Sequence, residues 1–132
     1  MSAKNDANQS SALELTVDAC VLFAQVPNAY DEDVHRFTGT FGAVTAGTWA
    51  LYFDGSDVGL TAAADDLGAI TFDGADMLFS TFGTNTTPGS DSEDINRFSG
   101  SFGSSTSGTA TLELDLSTLG IDPLANVNGV HV

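Results

Sequence analysis

Two groups of oxygen-bearing side chains recur along the chain: Glu32 and Asp33 followed by Asp54, Ser56 and Asp57, and Glu93 and Asp94 followed by Asp115 and Ser117. Carboxylates with a hydroxyl in a short loop such as FDGSD are hard oxygen donors, and Ca2+ takes about 6–8 such oxygens in flexible loops. The first group would draw Glu32 and Asp33 toward Asp54, Ser56 and Asp57 on a neighbouring strand. In the second, Thr118 stands where the first has Asp57, so this copy is expected to be the weaker. Calcium is the cofactor that the pattern puts forward. The competing reading is of solvated loop acids closing Asx turns, and no EF-hand loop of the form D-x-[DN]-x-[DN]-G occurs to decide between them.

Other chemistry is thinly represented. His35 and His131 are matched by Asn96 and Thr71, so neither recurs, and no G-x-S-x-G turn, zinc spacing or phosphate-cradling Gly loop is present. Paired carboxylates can hydrolyse glycosides, but a dozen acids on one face single out no pair, and 132 residues leave no loops for a deep cleft. An enzyme is not expected. Trp49 and Tyr52 are candidate platforms for stacking on a glycan, set against a packing role at a sheet edge or a chain–chain contact. Arg36 and Arg97 occupy matched positions in a chain whose one other cation is Lys4. One Arg per copy reads as a structural tether whose fork can grip nearby carboxylates.

The elements that must position these residues are written twice. EDVHRFTGTFG (32–42) returns as EDINRFSGSFG (93–103), and residues 32–60 align with 93–121 without a gap, 14 of 29 positions being identical. An internal repeat of this length points to supersecondary units that share a core. Short apolar segments punctuated by Gly, Asp and Asn predict strands, with no sustained helical spacing. The first repeat supplies A (13–17), B (20–25), C (32–40) and D (48–54), and the second supplies A (69–72), B (76–82), C (93–101) and D (109–115). Residues 1–11 read as a polar, flexible tail, 12–68 as repeat 1, and 69–132 as repeat 2. NGVHV at 128–132 aligns with GAITF at 68–72 and is expected to be a spare, closing inner strand.

The fold class is therefore all-β. The expected architecture is of β-propeller type, with two four-stranded antiparallel blades per chain plus the spare strand; a β-sandwich is the rival. Propellers run from about 4 to 8 blades, so two cannot close a ring. An open ring would leave apolar blade faces and unpaired edges in water, and identical chains completing the circle would remove them. In an antiparallel meander twelve of the eighteen acids, the two groups above among them, fall on one side of such a disk.

The stretch GTWALYFDGSDVGLTAAADDLGAITFDG (47–74), followed by DSEDINRFSGSFGSSTSGT (91–109), resembles tandem repeats of bacterial surface or secreted proteins. These carry a DED element, RF or RY before a Gly/Ser/Thr-rich turn, and GTW-LYFDGSDVGL. The resemblance spans about residues 13–132 and implies an extracellular or cell-surface address, with no established activity attached. The second copy departs from it, having LELDLSTLGI in place of LYFDGSDVGL, so that Glu113 matches Tyr52.

Charge narrows the partners. The formal net charge is −15 and 42% of residues are apolar, which argues against nucleic acid or an anionic membrane and allows a buried interior. No run is long enough to span a bilayer, and MSAKNDANQSS has no apolar h-region of a Sec signal peptide. Cys20, alone in ACVLF, reads as a small buried hydrophobe. The expected function is a structural protein that self-assembles into a closed multi-chain ring, with stacking into a filament or surface assembly. The alternative is a calcium-dependent carbohydrate- or surface-binding, lectin-like module.

Overall fold

The RFTGTFG and RFSGSFG segments fold alike, residue for residue. The computed structural model describes residues 32–84 and 88–132. Among these, six strands form two antiparallel sheets: β1 (Val34–Thr40) with β2 (Ala46–Phe53), and the meander β3 (Leu67–Asp73), β4 (Asp76–Thr81), β5 (Ile95–Ser101), β6 (Ser107–Leu114). The described residues are all-β, their remaining regular elements being three short 3-10 turns, and the two sheets do not close on each other. The second sheet is the A–B–C–D order expected for repeat 2. The A and B segments of repeat 1, the 1–11 tail and Cys20 lie outside the described residues.

The sequence repeat is also a repeat of register. Val34 opposes Phe53, His35 opposes Leu51 and Phe37 opposes Trp49, with a bulge after Val34. Sixty-one residues on, Ile95 opposes Leu114, Asn96 opposes Leu112 and Phe98 opposes Ala110, with the bulge after Ile95. The 3-10 turns Ser56–Val58 and Ser117–Leu119 follow in step, each closed by a left-handed glycine, Gly59 at φ 93° and Gly120 at φ 85°. The glycine pairs inside the strands have a packing cause. A Cβ on Gly47 would fall 2.5 Å from Cζ of Phe37, and one on Gly108 would fall 2.8 Å from Cε2 of Phe98. Each Phe ring thus lies over a cross-strand Gly pair, which explains why RF is followed two residues later by Gly in both copies.

One core spans both repeats. Val34, Phe53 and Leu60 pack with Leu67, Met77, Phe79 and Phe98. Phe53 meets the Phe98 ring edge-on at 5.1 Å, while Tyr52 stacks on Phe102 at 5.0 Å. Edge-to-face and offset ring pairs add about 0.5–1.5 kcal/mol each beyond the area they bury. β4 is buried from Met77 to Thr81, as an inner strand covered on both faces should be.

Residues 128–132 carry no strand within the single chain. The approach to them is held instead by Ser80 Oγ donating to the Val127 carbonyl at 2.8 Å and by the Val127 N–H reaching the Ser92 carbonyl at 3.5 Å. A strand requires a ladder partner, and here none of the described strands supplies one. Among the described residues no helix is long and apolar enough to cross a membrane.

Candidate metal centre and repeat contact

Three carboxylates of repeat 2 lie together where β5 begins and β6 ends. Oxygen atoms of Glu93, Asp94 and Asp115 all lie within 4.8 Å of one another, the one such acidic group among the described residues. Asp94 sits at the loop-to-strand junction. Its Oδ1 accepts the Leu116 N–H at 3.1 Å, tying β5 to the segment after β6, and its Oδ2 accepts the Asp91 N–H at 3.0 Å. Asp115 Oδ1 accepts the Ser117 hydroxyl at 2.6 Å and the Thr118 N–H at 3.2 Å. The Ser117 hydroxyl bond, followed by backbone bonds, holds the Asp115 carboxyl below its usual range.

Glu93 is the unusual member. It is 1% exposed, and neither of its carboxylate oxygens has a hydrogen-bond partner. Burial, partly countered by the backbone N–H of Glu93 itself and reinforced by the charges of Asp94, Asp91 and Asp115, pushes its carboxyl above the ordinary value. An ionised carboxylate buried without a partner is strongly disfavoured, so this group either holds a proton or meets a cation. The donor set is all hard oxygen, which fits a cation of the Ca2+ kind and does not fit a soft metal.

The first repeat keeps the turn bonds but does not gather its acids in this way. The Gly55 N–H donates to Asp33 Oδ1 at 3.1 Å, and the Ser56 hydroxyl donates to Asp54 Oδ1 at 2.6 Å, both matching repeat 2. Burial raises the Asp33 carboxyl, partly countered by the Gly55 N–H. A Cβ at position 55 would fall 2.8 Å from Cγ of Glu32. Repeat 2 carries Leu116 there, so Glu93 cannot take the path of Glu32. The expectation that repeat 2 is the weaker group rested on the loss of Asp57, yet Asp57 is engaged elsewhere: its Oδ2 accepts the Thr106 N–H at 2.9 Å. Missing from the sequence reading was the Gly55/Leu116 difference, the one signal that could have separated the copies.

That Asp57 bond belongs to the contact between repeats. The 102–106 turn of repeat 2 docks on the end of β2: the Gly103 N–H donates to the Tyr52 carbonyl at 2.7 Å, and the Asp54 N–H donates to Thr106 Oγ1 at 2.8 Å. Gly103, at φ 130°, and its match Gly42, at φ 141°, share a conformation that favours glycine.

The remaining candidates fall in separate places. Arg97 bridges three carboxylates of its own repeat, with Nη2 3.0 Å from Asp73, Nη1 3.0 Å from Asp76 and Nε 3.1 Å from Glu113. Asp73 and Asp76 face each other across the β3–β4 turn, so this arginine neutralises a pair of like charges set opposite. Arg36 lies 5.5 Å from the Tyr52 ring centroid. Tyr52 is half-buried between Arg36, Phe72 and Phe102, so its ring is a packing element and not an open platform. Trp49 is 41% exposed and leans on Phe37. No family model, curated protein or solved structure matches this chain.

Proposed function

We propose that this chain is a structural, self-assembling repeat protein, several copies of which complete a closed β-propeller-type ring. The observation that carries this reading is a difference in cover between matched positions. Phe53 and Leu60 are both 0% exposed beneath repeat 2, whereas their counterparts Leu114 and Ile121 are apolar and 44% and 43% exposed. Apolar residues set at the cost of exposure, in the register of a buried contact, are what an unfinished stack presents. A two-sheet sandwich accounts for the shared core as well, but it gives no reason for its outer side to repeat the inner contact.

Native mass measurement and sedimentation velocity over a hundredfold dilution test the proposal. The expected result is one discrete multiple of the chain mass, dissociating on dilution. A monomer at all concentrations would refute it and leave the sandwich. The lectin-like alternative has less support, because Tyr52 is packed and Trp49 alone remains exposed.

Calcium is the cofactor that this reading assigns to Glu93, Asp94 and Asp115, and the partnerless Glu93 carboxylate carries the assignment. Bound there, the ion would stabilise the ionised form of Glu93 and link the start of β5 to the end of β6. Titration calorimetry with Ca2+ is expected to give one site per chain in the wild type and none in Glu93→Gln; equal heats in both would remove the assignment.

A further inference from the structure

From the bond pattern inside one chain we infer the polarity and the residues of the contact between copies: the 41–45 turn and β2 of one copy dock on the segment from Leu114 to Ile121 of the next. This deepens the proposal of self-assembly and rests on it. Its basis is the repeat-1-to-repeat-2 contact, of which each chain uses one half in each repeat. Repeat 2 offers its turn to repeat 1, and the equivalent turn of repeat 1 is exposed throughout, Phe41 being 36% and Val44 82% exposed. Repeat 1 offers the end of β2 to repeat 2, and the equivalent end of β6 is open, with Leu119 70% exposed. A second copy of this chain therefore has both halves of a contact already realised once within the molecule.

The chemistry of the two halves is preserved or exchanged in step. Gly42 keeps the positive φ of Gly103, so its N–H can meet the Glu113 carbonyl as Gly103 meets that of Tyr52. Thr45 Oγ1 already donates to the Gly42 carbonyl, as Thr106 Oγ1 does to Gly103, leaving the oxygen to accept the Asp115 N–H. Thr118 replaces Asp57 as acceptor for the Thr45 N–H: its hydroxyl donates to the Asp115 carbonyl at 2.6 Å and keeps lone pairs free. Size is exchanged too. Inside the chain the buried cluster that includes the large Phe53 packs against the small Ala110 of repeat 2; between chains the smaller Leu114 would face Trp49, the counterpart of Ala110. The Ser56–Val58 turn lies against β6, so Leu119 of the matching turn would lie against β2 and Trp49. Two acids lie at the joint: Glu113 is already held by Arg97 through both its oxygens, and Asp115 Oδ1 accepts the Ser117 hydroxyl.

Such a contact is heterologous, and a heterologous contact makes a ring when its rotation closes; it has a decisive test in two surface variants. Phe41→Asp removes the turn side and Leu114→Asp the opposite side. Each alone should weaken association by roughly 100-fold or more, as loss of a central apolar anchor does. Mixed, the two variants retain one good joint and should form a 1:1 dimer and nothing larger. Wild-type rings together with unimpaired rings of both variants would overturn this interface while leaving self-assembly standing; a monomeric wild type would instead remove the proposal beneath it. Variants that are monomeric, native by circular dichroism and unable to pair on mixing would overturn the head-to-tail polarity. If either fails to fold, Val44→Asp and Leu119→Asp, at more exposed positions of the same two surfaces, take their place.

Discussion

Phe53 and Leu114 occupy one register position in two copies of the same hairpin, and truncating each to Ala separates what the fold requires from what assembly requires. Phe53 is fully buried, edge-on to Phe98 and tilted against Phe102, between the two sheets. Removing a fully buried Phe ring costs about 3–5 kcal/mol, a large part of the roughly 5–15 kcal/mol that holds a domain folded. Leu114 is 44% exposed in the single chain. Deleting its partly covered carbons, at about 0.8 kcal/mol per fully buried CH2, should cost about 1 kcal/mol there. Urea unfolding followed by circular dichroism at a concentration low enough to hold single chains reads both values. Phe53→Ala should move the midpoint far down with little change in slope, and Leu114→Ala should barely move it. At high concentration, where copies associate, the Leu114→Ala deficit should grow toward that of Phe53→Ala. Equal costs in the dilute chain, or a Phe53→Ala cost under about 1 kcal/mol, would refute the claim that the core lies between the repeats.

Two predictions concern acid stability. The Asp76 carboxyl is held below its ordinary range by the Ser99 hydroxyl and by Arg97, and the Glu113 carboxyl by Arg97. Their contribution is present above the unfolded carboxyl range, about pH 4, and is lost as pH falls through the lowered folded values. Arg97→Gln should therefore begin acid unfolding at a higher pH than wild type, read as melting temperature from pH 7 to pH 2; superimposable acid limbs would count against the tether. Glu93 has the opposite sign. Its folded carboxyl titrates above the unfolded one, so the protonated form favours folding and stability falls as pH rises through the raised value. In chelator, Glu93→Gln should melt above wild type at pH 7 and level with it below about pH 4, and a wild type as stable as the variant at pH 7 would contradict the burial.

What the amino-acid order determined by itself is the repeated local structure. Matching residues at a fixed 61-residue offset place the same bulge, the same Gly pairs under Phe37 and Phe98, and the same Asp-Ser turn in both copies. These are short-range consequences of alternation, glycine conformation and side-chain-to-backbone bonds, and such signals are local enough to be read from a string. Tertiary packing decided the rest. Whether Phe53 or Leu114 is covered depends on a neighbouring sheet and not on either residue. Whether the strand-like NGVHV pairs depends on a ladder partner, and the described strands offer none. Whether Glu93 or Glu32 loses its water depends on Leu116 or Gly55 across a fold that brings residues 23 apart into contact. Burial is a property of surroundings, and a sequence names the residues without naming what will surround them.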